Sequence, residues 1–137
     1  MARYLSRADL SHIAVKYIDQ YYTRFGISKD DPEPIDPEQL ASSVLGLNVK
    51  MLPLCSEGSV LGLTVFQKCD FTVTLGDGTK LVEVFMPKDV VIDSALAADS
   101  CTGCRNFTIA HEAAHHILVD LFPNDYGKAV KCRGHIA

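Results

Sequence analysis

The sequence predicts an α+β fold, on three observations. Apolar residues recur at helical spacing near both ends of the chain. The middle switches to short runs rich in β-branched and aromatic residues. Gly, Pro and Asp cluster where the period changes. The length of 137 residues, with 47% hydrophobic and 22% charged content, suits one domain spanning 1–137. A chain of this size buries about two-thirds of its unfolded surface, enough for a core without staples. It divides into a helix and acidic loop (1–35), a core (36–122) and a tail (123–137).

Residues 6–25 place Leu10, Ile13, Ala14, Tyr17, Ile18 and Tyr21 on one face, which predicts an amphipathic helix. Ser6 with Asp9 three positions on forms a cap, and Gly26 a stop. The run 29-KDDPEPIDPE-38 holds five carboxylates and three prolines and reads as a solvated loop. In 36-DPEQLASSVLG-46 an N-cap Asp, a Pro at the first helical position and a Gly exit predict a short second helix. The runs 48-NVKMLPL-54, 59-SVLGLTVF-66, 71-FTVTL-75, 80-KLVEVFM-86 and 89-DVVID-93 read as strands. The turn 76-GDG-78 predicts a hairpin, and Pro53 and Pro87 belong at strand ends. A three- to five-stranded, mostly antiparallel sheet follows. The last helix starts within 100–107, capped by Ser100 or Thr102, and runs to about 121. Its expected apolar face is Phe107, Ala110, Ala114, Ile117, Leu118 and Leu121. The tail after Pro123 shows no strong period.

Charge excludes some partners. Thirteen Lys and Arg against seventeen Asp and Glu give −4, with no basic stripe to form a nucleic-acid footprint. The tyrosines, including 21-YY-22, make no stacking platform without basic residues between them. No apolar run reaches 18 residues, and 1-MARYLSRADL-10 lacks the apolar core of a signal peptide. Five cysteines suit no disulfide framework, so a reducing cytoplasm with free thiols is expected. Cys55 and Cys69 lie in apolar runs and read as small core hydrophobes.

The last helix carries 111-HEAAH-115. Four residues are about one turn, so His111 and His115 project from one face and can hold one tetrahedral Zn²⁺. Glu112 lies beside them without being a ligand. It can take a proton from a water that the metal activates and pass it to a leaving amine. From five His and five Glu, a chance match somewhere in the chain occurs roughly once in 150 such sequences. The alternative is a pair of surface histidines beside a solvated Glu.

The run 105-RNFTIAHEAAHHIL-118 resembles the R-x-F-T-x-A-H-E-x-x-H signature of the ImmA/IrrE-type metallo-endopeptidases. The segment 36-DPEQLASSVLGLNV-49 is similar to that family's short helix and first strand, and 90-VVIDSAL-96 to its last strand before the active-site helix. The resemblance covers roughly 36–122. It implies a minimal zincin-like fold: a small twisted sheet packed on an N-terminal helix and the HExxH helix. It also implies a cytoplasmic zinc endopeptidase with a protein or peptide substrate, such as a helix-turn-helix repressor. His111 and His115 are then zinc ligands and Glu112 the general base.

The family's third ligand, usually a Glu on a following helix, has no counterpart, because no Glu follows Glu112. Leu118 and Leu121 replace the Gly and His of the metzincin continuation. Asp120, Asp125, Cys132 and His135 remain, and their spacing singles out none. The expectation is that the chain ends before the third-ligand helix. That would leave apolar surface uncovered and favour a homo-oligomer. A catalytically incomplete zincin-like sensor or protein-binding module is the alternative function. A third reading takes Cys101, Cys104, Cys132 and His135 as a second, structural zinc site. A redox role for 101-CTGC-104 ranks below it. His12 and His116 read as surface or packing residues, Arg105 as a residue that holds the helix start or pairs with a carboxylate, and Tyr126 as a packing loop tyrosine that could polarise a scissile carbonyl in a complete site.

Overall fold

The structure, a computed structural model, describes residues 5–54, 60–123 and, through backbone pairing, 132–136. Helix α1 spans Arg7–Phe25. Its start is the expected capping box. Ser6 Oγ accepts from the Asp9 amide at 3.1 Å, and Asp9 accepts from the Ser6 amide at 3.0 Å. It ends on Gly26 at φ 67°, a left-handed position that glycine takes without strain. The two adjacent tyrosines fasten the Pro-rich loop. Tyr21 accepts from the Asp36 amide at 3.2 Å, and Tyr22 donates to the Glu33 carbonyl at 3.2 Å. Most of the acidic run is exposed, as its charge density requires.

Helix α2 is short, Pro37–Gln39, with Asp36 accepting from the Glu38 amide at 3.0 Å. It widens into a π-helical stretch, Leu40–Val44, where the Leu45 amide reaches Leu40. Gly46 turns the chain out at φ 69°.

Among the described residues the strands are β1 (Asn48–Leu52), β2 (Val60–Val65), β3 (Cys69–Thr74), β4 (Lys80–Phe85), β5 (Asp89–Asp93) and β6 (Cys132–Ile136). They form a four-stranded sheet in the order β1-β5-β2-β6 and a separate two-stranded hairpin, β3-β4. β1 runs parallel to β5, and the other pairs are antiparallel. The sheet is therefore mixed, and the expected single antiparallel sheet is split. The 76–78 turn does close the hairpin, with Gly78 at φ 86°. Strand β6 was not expected. The segment 132-CRGHI-136 has little alternation of its own and is a strand because β2 offers it an unpaired edge.

Alternation divides the core in two. On one face of the sheet Val90 and Ile92 pack with Ala41, Leu47, Leu96, Ile109 and Ala113. On the other, Val91 packs with Leu54, Leu63, Val65 and Phe85, and Cys69 sits against this second cluster. Phe85 stacks on Phe71 within the hairpin, ring centres 5.8 Å apart, and both pack into this second cluster, which seats the hairpin under the sheet. β5 is buried along its whole length, including Asp89 and Asp93. Both carboxylates are satisfied. Asp89 accepts from Asn48, Lys50 and the Met86 amide, and Asp93 from the Leu54 amide at 3.0 Å. Among the described residues no helix is long and apolar enough to cross a membrane.

Candidate metal centre

Helix α3, Thr102–Leu121, lies across β2 and β5 and carries the H-E-x-x-H run. No side chain caps its start. Thr102 Oγ1 instead donates back to the Asp99 carbonyl at 2.8 Å, and Ser100 Oγ lies 3.9 Å from Cys101 Sγ. Arg105 does the anchoring. Its guanidinium donates to the Leu96 and Ala97 carbonyls at 3.0 and 3.1 Å, tying the first turns of α3 to the segment that leaves β5.

The buried face of α3 differs from the expected one. It consists of Thr108, Ile109, Glu112 and Ala113, whereas Phe107 is 62% exposed and Ala110 and Ala114 are open. The helix has a second apolar neighbour, which explains the misreading. Ala114, Ile117 and Leu118 line a cavity of about 350 Å³ facing Leu10, Ile13 and Tyr17 of α1. Two polar side chains can face the sheet because β2 supplies a hydroxyl and a gap.

The gap is Gly62. A methyl group there would stand 2.7 Å from Thr108 Cγ2 and 3.1 Å from Glu112 Cγ and Oε1. Only glycine lets α3 settle this close. The hydroxyl is Thr64, two residues on and therefore on the same face. It donates to Glu112 Oε2 and lies 3.1 Å from the Glu112 carbonyl oxygen. Glu112 is wholly buried, and its Oε1 has no hydrogen-bond partner among the described residues. Burial raises its pKa from 4.5 to about 7, with the Thr64 bond pulling the other way. The sequence did signal this cradle, since a Gly inside an apolar strand marks close backbone approach.

The two histidines sit beside this buried carboxyl, at the border of the exposed face. His111 is exposed and His115 half-buried. Their Nε2 atoms are 3.2 Å apart, with the rings edge to face at 4.9 Å. Two nitrogens about 2.05 Å from one tetrahedral zinc stand roughly 3.3 Å apart, so the separation of this pair is that of two ligands to one Zn²⁺. Phe107 packs 6.0 Å from His111. Around the helix, Ile109 and Ala113 lie over β5 and Thr108 and Glu112 over β2. Each further step of about 100° per residue carries His115 and His111 on toward β6.

The remaining metal-type residues fall elsewhere. Asp120 shares a different cavity, of about 180 Å³, with Tyr17, Lys88 and His116. Burial raises the Tyr17 pKa there, and the Asp120 charge adds to it. His116 packs edge-on against Phe66 at 5.1 Å, and burial lowers its pKa. His12 is exposed on α1. Cys55, Asp125 and Tyr126 lie outside the described residues. Cys132 and His135 are on β6, where the backbone register sets His135 opposite Gly62 and Cys132 opposite Val65. Among the described residues no group of three His, Cys, Asp or Glu side chains converges as a metal would require. Compared with protein-family models, curated proteins and solved structures, the chain matches none.

Proposed function

We propose that the chain is the core of a zincin-like, zinc-dependent endopeptidase. The observation that carries this reading is the histidine pair at zinc-ligand separation, next to a buried carboxyl whose pKa is about 7. Zinc, when bound, supplies a Lewis acid that polarises a substrate carbonyl and acidifies a water. His111 and His115 would hold it. Glu112, buried beside that pair with its Oε1 without a hydrogen-bond partner among the described residues, would take up and pass on the proton. The Thr64 hydroxyl fixes the orientation of that carboxyl, and Gly62 keeps α3 against β2. An extended peptide would add to the outer edge of β6, in the β-augmentation manner. The substrate implied by the family resemblance is a regulatory protein such as a repressor.

A second reading has its own observation. In the sequence no Glu follows Glu112, and the motif's usual third ligand has no counterpart, which motivates a sensor or binding module. One comparison separates the two. With zinc measured per chain and a labelled unstructured protein as substrate, Glu112→Gln should keep the metal and lose cleavage by about 10²-fold or more. His111→Ala should lose the metal. A Glu112→Gln variant as active as wild type would end the proteolytic reading, and wild type that binds zinc without cleaving would favour the binding module.

A further inference from the structure

α3 begins on two thiols whose placement has a chemical consequence independent of the histidine pair. Cys101 occupies the N-cap position with φ −105° and ψ 12°, outside helical geometry, and Cys104 lies in the first turn. Both are free. Residues three apart on a helix have Cα atoms about 5 Å apart, from the rise and radius of the helix. A disulfide tolerates Cα separations of roughly 4.4–6.8 Å. Regular helical spacing falls inside that range, and Cys101 stands at its edge, as the N-cap of α3 and the last residue of the preceding 3-10 turn, Asp99–Cys101. The two sulfurs differ in access. Cys104 is exposed, whereas Cys101 is half-buried and packs against the core cluster beneath α3.

We propose that Cys101 and Cys104 form a reversible redox site, oxidised to an intrahelical disulfide by low-molecular-weight disulfides. The Cys104 thiolate attacks one sulfur of the external disulfide. The S–S bond breaks, one small thiolate leaves, and a mixed disulfide remains on Cys104. The Cys101 thiolate then attacks the Cys104 sulfur, closes the Cys101–Cys104 bond and expels the second small thiolate. Two protein thiols are oxidised, one external disulfide is reduced, and the two protons go to the two released thiols. Access sets the order: the exposed sulfur takes the external partner and the half-buried one resolves it. Cys104 precedes His111 by seven residues, about two turns, so the redox site and the histidine pair share one face of α3.

The test equilibrates the full chain with mixtures of reduced and oxidised glutathione, quenches with acid and alkylates the remaining thiols. Trypsin cuts after Lys88 and Arg105, so one peptide contains both cysteines. That peptide should become about 2 Da lighter and escape alkylation as the oxidised fraction rises. The equilibrium constant for closure should be at least about tenfold larger in the folded chain than in guanidinium, because only the folded chain holds the Cα atoms in range. Cys101→Ser should accumulate a lasting glutathione adduct on Cys104. Cys104→Ser should react at least about tenfold more slowly, through the less accessible sulfur. Equal closure in folded and unfolded chains would overturn the proposal. So would thiols that react only after a chelator has removed a metal, since that marks a structural zinc site.

Discussion

A carboxyl shut away from water, with a single hydroxyl to accept from, keeps its proton to higher pH than one in solvent. Glu112 is in that position, and the cost appears in stability as well as in chemistry. Its pKa is about 7 in the folded chain and near 4.5 when unfolded. Between those values the folded state holds a proton that the unfolded state has lost. The contribution is fully present below pH 4.5 and is gone above about pH 7. For the metal-free protein, the unfolding free energy from urea titrations should fall by about 3 kcal/mol, as an order of magnitude, across that window. Glu112→Gln should flatten this slope, because the residue at 112 no longer titrates. An unchanged slope in the variant would place the titration elsewhere.

Helix α3 is held by the way it meets β2. The contact is close because Gly62 has no Cβ, and the nearest obstacle to one is the methyl of Thr108, a short branched side chain that cannot swing aside. Gly62→Ala should therefore cost about 2 kcal/mol and push α3 outward, and on the proposed zinc reading it should also weaken metal retention. Helix α1 is attached differently. It faces α3 across an apolar gap and depends more on its own ends. Removing half of its capping box with Ser6→Ala should cost about 1 kcal/mol. Hydrogen exchange would show the loss in the first turns of α1, with α3 amides unaffected. Loss of protection in α3 as well would mean that the two helices fold as one unit.

The two clusters on either side of β5 make the sheet the centre of the molecule, and the hairpin a lid on its second face. Phe85 is the largest side chain in that second cluster and is 1% exposed. Phe85→Ala should cost about 3–5 kcal/mol in denaturant titrations, a large share of the 5–15 kcal/mol typical of a domain. Such a loss should lower the midpoint for the whole chain, since Val91 of the central strand belongs to the same cluster. A change confined to the hairpin would show that β3-β4 is an independent unit.

Features that depend on neighbours in the chain were legible in advance. The Ser6–Asp9 box and the Asp36-Pro37 start rest on side chains reaching backbone groups two or three residues away, and the Gly26 stop and the Gly78 turn on the positive φ that glycine accepts. The histidine pair belongs with them, because helical pitch alone sets His111 and His115 side by side. Features decided by distant residues were not. The strand order, the parallel pairing of β1 with β5 and the recruitment of β6 depend on which edges are left open once the chain has collapsed. The buried face of α3 was misjudged for the same reason. Its hydrophobicity pointed toward α1, and only contact with Gly62 and Thr64 draws Thr108 and Glu112 inward. Local spacing placed the two histidine Nε2 atoms within reach of each other. Packing across 48 residues of sequence, from Thr64 to Glu112, took the carboxyl out of water and raised its pKa to about 7.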